Sequence, residues 1–281
     1  MFTSHLTFAN RPSELKDSKY AFLGIPFDSS QSYRVGSRYA PRAIREASID
    51  LESYDMEEKT NLEDITISDL GNVDVSFGNF KQTNIRSTSV IKSILRKHTI
   101  PICVGGEHTI SYSAISSYKK KPFIIIFDAH LDFRDEYLGE KFSHACVTRR
   151  IGELCGYNNI LVIGTRSASK EELEDAESLG LKFIEFNNRV SQLKYISKIT
   201  KDRDIYLSID MDVLDPKEAR GVGNPEPPGF SYRELVNSLE FLHESTLVGF
   251  DITEVIPSFD RYTPVLAAKI IFKILAKATR C

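Results

Sequence analysis

The stretch FIIIFDAHLD, residues 123–132, runs five apolar or aromatic residues straight into Asp128, His130 and Asp132. A short, unbroken apolar run of this kind reads as a strand buried on both faces, the form strands take in parallel sheets. Side chains alternate faces along an extended chain, so residues two and four apart share one side. Asp128, His130 and Asp132 therefore point the same way. Carboxylates packed together repel unless something positive lies between them. A strand that simply leaves the core has no packing use for such a cluster, and a metal ion would satisfy it.

Working outward, seven further runs have strand character: YAFLGI (20–25), DITISDLG (64–71), IPICVGG (100–106), NILVIGT (159–165), LKFIEF (181–186), DIYLSID (204–210) and TLVGFDI (246–252). Segments of helical period lie between them. In PRAIREASIDLESY (41–54), Pro41 fits the first turn of a helix. In SYRELVNSLEFLHE (231–244), Ser231 and Glu234 form a capping-box pattern. Apolar strands alternating with helices predict an α/β fold: a three-layer αβα sandwich with a mostly parallel sheet of about eight strands. The chain shows no long Ser/Gly/Pro linker, fixed-period repeat or low-complexity tract, so a single domain over residues 1–281 is expected.

Composition narrows the function classes. A hydrophobic content of 41% and a charged content of 27% suit a globular enzyme, and a net charge of -3 leaves no basic footprint for nucleic acid. No apolar run approaches the roughly 18 residues that a membrane span needs. The N-terminal MFTSHLTFANRPSELK lacks an apolar signal core, which makes the cytoplasm the expected compartment. Cys103, Cys146, Cys155 and Cys281 show no CxxC spacing and are expected to be reduced thiols, two of them in the core.

Ligands in open α/β sheets gather beyond the carboxyl ends of strands. The polar clusters VGGEH, DAHLD, SIDMDVLDP and DITEV fall at four such ends. His108 follows a glycine pair, and Asp210 and Asp212 stand two apart like the residues of DAHLD. His108, His130, Asp128, Asp132, Asp210 and Asp212 together offer about four negative charges, which two divalent ions would balance. Mixed His and Asp ligation without cysteine suits Mn²⁺ better than Zn²⁺ or Fe²⁺. Taken singly, Asp128 also reads as a helix cap, and Asp215 before Pro216 as a turn residue. His5 and His98 read as surface residues and His243 as helical, which leaves His144 as the histidine able to act near the metals.

GGEH, DAHLD, SIDMDVLDP and GFDITEV, in this order, resemble the ureohydrolase family of arginase and agmatinase, which hydrolyses guanidino groups to urea at a binuclear manganese centre. The resemblance runs from GIPFDSSQSYRVGSRYAPRAIREAS (24–48), which looks more like agmatinase than arginase, to TPVLAAKII (263–271). It implies an arginase-like fold with two Mn²⁺ per chain. His108, Asp128, Asp132 and Asp210 would surround one ion, and His130, Asp128, Asp210 and Asp212 the other, with Asp128 and Asp210 bridging. It further implies that Asp132 passes a proton to the departing amine, that Glu254 accepts paired hydrogen bonds from the guanidinium, and that His144 serves as a substrate-side acid/base or proton shuttle. A cytoplasmic homo-oligomer, trimer or hexamer, in polyamine biosynthesis is implied as well.

The substrate is less sharply defined. Arginases carry a neutral loop after the metal-binding strand, whereas FRDEYLGEKFSHAC (133–146) has Asp135, Glu136 and Glu140, which would repel a carboxylate and favour the cationic tail of agmatine. Cleavage would then give urea and putrescine. GVGNPEPPG (221–229) departs from a GTGTPEPGG pattern at Val222, Asn224 and Pro228, and Arg220 stands where proline is usual. These changes alter the pocket wall and keep N1-aminopropylagmatine, arginine and guanidinobutyrate open as substrates. Two other classes also stand: a single-zinc amidohydrolase of the deacetylase kind, opposed by the full set of His108, Asp132 and Asp212, and a non-catalytic relative, whose usual sign is a missing ligand.

Overall fold

The structure, a computed structural model, describes residues 6–11, 14–15, 18–189 and 191–279; the expectations for His5 and Cys281 lie outside these. The strands are β1 (Tyr20–Ile25), β2 (Tyr54–Asp55), β3 (Thr60–Asn61), β4 (Ile67–Asn72), β5 (Ile100–Gly105), β6 (Phe123–Phe127), β7 (Ile160–Thr165), β8 (Lys182–Glu185), β9 (Asp204–Asp210) and β10 (Thr246–Thr253). The helices are α1 (Ala40–Ile49), α2 (Phe80–Leu95), α3 (Ile110–Ser116), α4 (Val147–Cys155), α5 (Lys170–Leu179), α6 (Leu193–Thr200), α7 (Tyr232–Ser238) and α8 (Tyr262–Thr279). All eight expected strands are present in one sheet, in the order β4-β1-β5-β10-β9-β6-β7-β8, and every neighbouring pair is parallel.

The unbroken apolar character of β6 has a direct cause. Phe123, Ile125 and Phe127 face one core with Ile44 of α1, Leu235 of α7 and Ile270 of α8. Ile124 and Ile126 face the other with Ile91 of α2, Ile115 of α3 and Ile151 of α4. Helices thus cover both faces, as the three-layer expectation requires.

Two helical expectations shorten. The segment from Pro41 ends its helix at Ile49, and Tyr54–Asp55 pairs antiparallel with Thr60–Asn61 instead. Two buried lysines of α8 hold this hairpin: Lys273 Nζ lies 2.7 Å from Asp55 Oδ2, and Lys277 Nζ lies 2.9 Å from Glu58 Oε1. Those cations are more than 200 residues away in the chain, so local period gave no warning. The segment from Ser231 keeps its capping box, but α7 stops at Ser238 and continues as a 3₁₀ turn, Glu240–His243. Cys103 and Cys146 are buried, Cys155 is half-buried, and all three are free.

Ile125 is fully buried in the central strand β6. Its truncation removes transfer energy and leaves a cavity, so Ile125→Ala should cost about 2–5 kcal/mol. Urea unfolding should show a lower midpoint at an unchanged m-value; an unmoved midpoint would contradict the packing described.

Candidate metal centre

Strands β5, β10, β9 and β6 are consecutive in the sheet, so their carboxyl ends form one rim. His108 follows β5, Glu254 follows β10, Asp210 ends β9 with Asp212 beyond it, and Asp128, His130 and Asp132 follow β6. The position of His108 depends on Gly106. A Cβ there would sit 1.7 Å from the Phe27 carbonyl oxygen, because the chain passes close enough for Glu107 N to donate to that oxygen at 2.7 Å.

The six expected ligands converge. His108 Nδ1 lies 3.0 Å from Asp128 Oδ2, 3.0 Å from Asp132 Oδ2 and 3.5 Å from Asp210 Oδ2. His130 Nδ1 lies 3.0 Å from Asp212 Oδ2 and 3.6 Å from Asp128 Oδ1. Two groups have donor atoms close enough to share one ion each, His108–Asp128–Asp210 and Asp128–His130–Asp212, and Asp128 belongs to both. Asp210 enters only the first, while Asp132 approaches through His108.

Three carboxylates face one imidazole nitrogen, which can give at most one hydrogen. That nitrogen has no need to carry it. Ser208 Oγ lies 3.0 Å from His108 Nε2 and donates to Asp251 Oδ1 at 2.6 Å, so the serine is placed to accept from Nε2–H. This tautomer turns the Nδ1 lone pair toward the carboxylates, the orientation of a metal ligand. Asp128 Oδ2 is buried without a hydrogen bond among the described residues. The ion-pair distance from that oxygen to Nδ1 is short, yet one nitrogen cannot serve three acceptors. An orphaned oxygen, an inward lone pair and an all-His/Asp donor set fit a divalent cation.

Without an ion, protons must do this work. Burial pulls His130 down, but the Asp212 and Asp128 carboxylates outweigh it and push it up to about 12. Burial likewise opposes protonation of His108, and the Asp128 and Asp132 carboxylates carry it well above the usual value. Burial and the Asp128 charge push the Asp132 carboxyl up to about 7. Burial, then neighbouring carboxylates, hold Asp210 and Glu254 well above the usual carboxylate range.

Two site residues adopt left-handed backbone, Asp132 at φ 50° and Glu254 at φ 63°. Neither is glycine, and such conformations persist where surrounding structure fixes them, commonly at functional sites. Glu254 is buried and held through both oxygens: Oε1 accepts from His108 N at 2.9 Å, and Oε2 from Gln31 Nε2 at 2.5 Å. His144 begins a 3₁₀ turn beside the same loop, with Ser30 Oγ 3.3 Å from Nδ1 and Ser32 Oγ 3.3 Å from Nε2. Burial and the nearby His130 charge lower it to about 4, so without an ion its imidazole is neutral at neutral pH.

A cavity of about 300 Å³ opens beside Asp132 and His144, lined also by His130, Ser32, Tyr137, Arg134, Glu172, Asn224 and residues 167–169; Glu254 does not line it. The loop acids expected to face the substrate do not line it. Asp135 is exposed and pairs with Arg150 at 2.8 Å, and Glu136 is exposed. The charged wall is instead the Arg134–Glu172 pair at 3.2 Å. Asp215 is a turn residue, accepting from Lys217 N and Gly229 N. Sequence reasoning missed Gln31, Ser30 and Ser32, which sit in a loop with no ligand-like spacing. It also missed Glu107, whose buried carboxylate pins that loop by accepting from Ser30 N at 2.7 Å. Arg166 went unnoticed too; it donates to the Asp212 carbonyl at 2.7 Å.

Comparison with known proteins agrees with this geometry. The Arginase family model matches residues 18–276. Among curated relatives, an agmatinase of Pyrococcus horikoshii is 35% identical, covering 95% of this chain and 94% of its own. An N(1)-aminopropylagmatine ureohydrolase of Thermococcus kodakarensis is 33% identical, covering 92% and 90%. The crystal structure of agmatine ureohydrolase of Thermoplasma volcanium superposes with a TM-score of 0.91 at 36% identity, covering 99% of this chain and 96% of that one. The chain belongs to the arginase family, within which it is an agmatinase-like ureohydrolase.

A stability prediction follows for the metal-free protein. Asp132 and Glu107, both raised to about 7, hold their protons more tightly folded than unfolded. The stability this contributes is complete below the unfolded value of about 4 and is lost as pH rises through about 7. EDTA-treated protein should therefore melt at a lower temperature near pH 7.5 than near pH 5.5 by circular dichroism. Added Mn²⁺ should raise the melting temperature more at the higher pH, because ions and protons compete for these ligands. The opposite trend would show that the cluster is not what titrates.

Proposed function

We propose that this protein hydrolyses agmatine to urea and putrescine with two Mn²⁺ ions held by His108, Asp128, Asp132 and Asp210 on one side and His130, Asp128, Asp210 and Asp212 on the other. The observation that carries the reading is the sharing of Asp128 between two groups of converging donors. A divalent pair at these residues supplies the charge that offsets the carboxylates, polarises the guanidino group and acidifies a water.

The chain's own residues do the rest. Glu254, fixed through both oxygens, presents a carboxylate edge that suits the planar guanidinium. Asp132 lines the cavity, where its carboxylate could relay a proton to the departing amine. His144 also lines the cavity, with Ser30 and Ser32 beside its ring nitrogens, a position from which an imidazole could exchange protons with bound substrate. The resemblance also supports a cytoplasmic homo-oligomer, trimer or hexamer, serving polyamine synthesis.

A second substrate, N1-aminopropylagmatine, is favoured by one feature. A neighbouring cavity of about 420 Å³ shares Ser167 and Ala168 with the first and is walled by Pro227, Pro228, Phe183 and Glu185. A longer cationic tail crossing that shared wall would meet Phe183, Phe186 and Glu185, with Arg166 as the one cation in the lining. The altered GVGNPEPPG segment contributes to both cavities, through Asn224 and through Pro227–Pro228.

Urea release from a guanidino panel under equal Mn²⁺ loading tests the assignment. Agmatine or its aminopropyl derivative should exceed arginine in kcat/KM by at least about a hundredfold; equal rates for arginine would end the agmatinase reading. His144→Ala should lower kcat roughly ten- to a thousandfold with metal content unchanged. Asp128→Asn should reduce bound Mn²⁺ at both positions by elemental analysis, and loss of one ion alone would refute a shared bridge.

A further inference from the structure

The amino-terminal end of the sheet, opposite the metal centre, carries a concentration of positive charge. Residues 75–127 contain eight Lys and Arg residues and a single acid, the buried Glu107, in a chain whose net charge is -3. Folding gathers part of that charge around a cavity of about 390 Å³ between the end of α2 and the turn after α3, lined by Lys92, Arg96, Lys119 and Lys120 with Leu95 and Tyr118. All four cations are exposed, no acid lines the cavity, and no ion pair engages any of the four among the described residues. A fifth cation, Lys121, is spent on capping α3: its Nζ donates to the carbonyls of Ile115 at 3.2 Å, Ser116 at 3.0 Å and Tyr118 at 2.6 Å. Burial, and additionally the Lys92 ammonium, hold the Lys121 amine below the usual lysine value, so the cations here already repel one another.

Like charges lining a concave, partly apolar surface raise the local concentration of counter-ions. Tyr118 cannot swing out to relieve the crowding, because its hydroxyl donates to the Val248 carbonyl at 2.8 Å and its ring lies against Tyr206. The floor is therefore rigid and the cations stand around it. A ligand matching this arrangement carries several negative charges within a small volume and is small enough for the cavity.

We propose that this cavity is a binding site for a small phosphate-rich anion, separate from the metal centre and at the opposite ends of the strands. Inorganic pyrophosphate is the probe, titrated calorimetrically into the Mn²⁺-loaded full-length protein. Saturable binding that weakens with added salt is expected, and Lys119→Gln/Lys120→Gln should weaken it at least about tenfold. Both lysines are exposed, so the fold should survive, as circular dichroism would verify. Chelation of Mn²⁺ by pyrophosphate contributes equally to the wild type and the double variant, so their difference reads the cavity. Binding unchanged in the double variant, or lost instead in Asp128→Asn, would put the anion at the metal centre and overturn the proposal. Displacement of pyrophosphate by a single-stranded RNA of higher affinity would also overturn it, in favour of a nucleic-acid surface.

Discussion

Uncompensated negative charge is the constraint on which this structure depends. Asp128, Asp132, Asp210 and Asp212 are all buried within reach of two imidazoles. Burying a carboxylate without a partner is costly, and two histidines cannot neutralise four aspartates. In the absence of ions the balance is kept by protons, with His108 and His130 raised and the Asp132 carboxyl half-titrated at neutral pH. A site that binds protons this firmly is organised for cations of higher charge. Any cation that bound these residues would therefore be linked to folding.

The scaffold keeps that charge in place with groups outside the candidate ligand set. Ser208 and Asp251 fix the ring of His108, Arg166 holds the backbone of Asp212, and Glu107 ties down the loop that brings Ser30, Gln31 and Ser32 to His144 and Glu254. Two close approaches make room for this. Gly106 lets the β5 turn lie against Phe27, and Gly223 leaves space for Glu254, whose Oε2 a Cβ there would meet at 2.6 Å. Strained backbone at Asp132 and Glu254 is the local consequence, tolerated because so many neighbours fix those residues. The candidate ligands are thus held by many neighbours, whereas the cavity beside them is walled by the Arg134–Glu172 pair, Tyr137 and Asn224.

The sequence by itself determined the sheet and the ligands, because both are written at short range. An unbroken apolar run bounded by turn signals reads as a doubly covered strand, and all eight strands were legible on that ground. His108, Asp128, His130, Asp132, Asp210 and Asp212 were legible as donors at strand ends, but β6 stops at Phe127 and Asp132 is left-handed, so turns rather than strand alternation bring them together. Tertiary structure alone decided matters that hinge on partners far away in the chain. The β2–β3 hairpin replaces the end of a helix because its acids meet buried lysines of α8. Without an ion, His144 is neutral because folding buries it beside His130. Asp135, which read as a substrate contact, turns outward to Arg150, since a charge run reveals its sign but not its direction. Electrostatic pairing across the fold, unlike the alternation of a strand, leaves no period in the sequence.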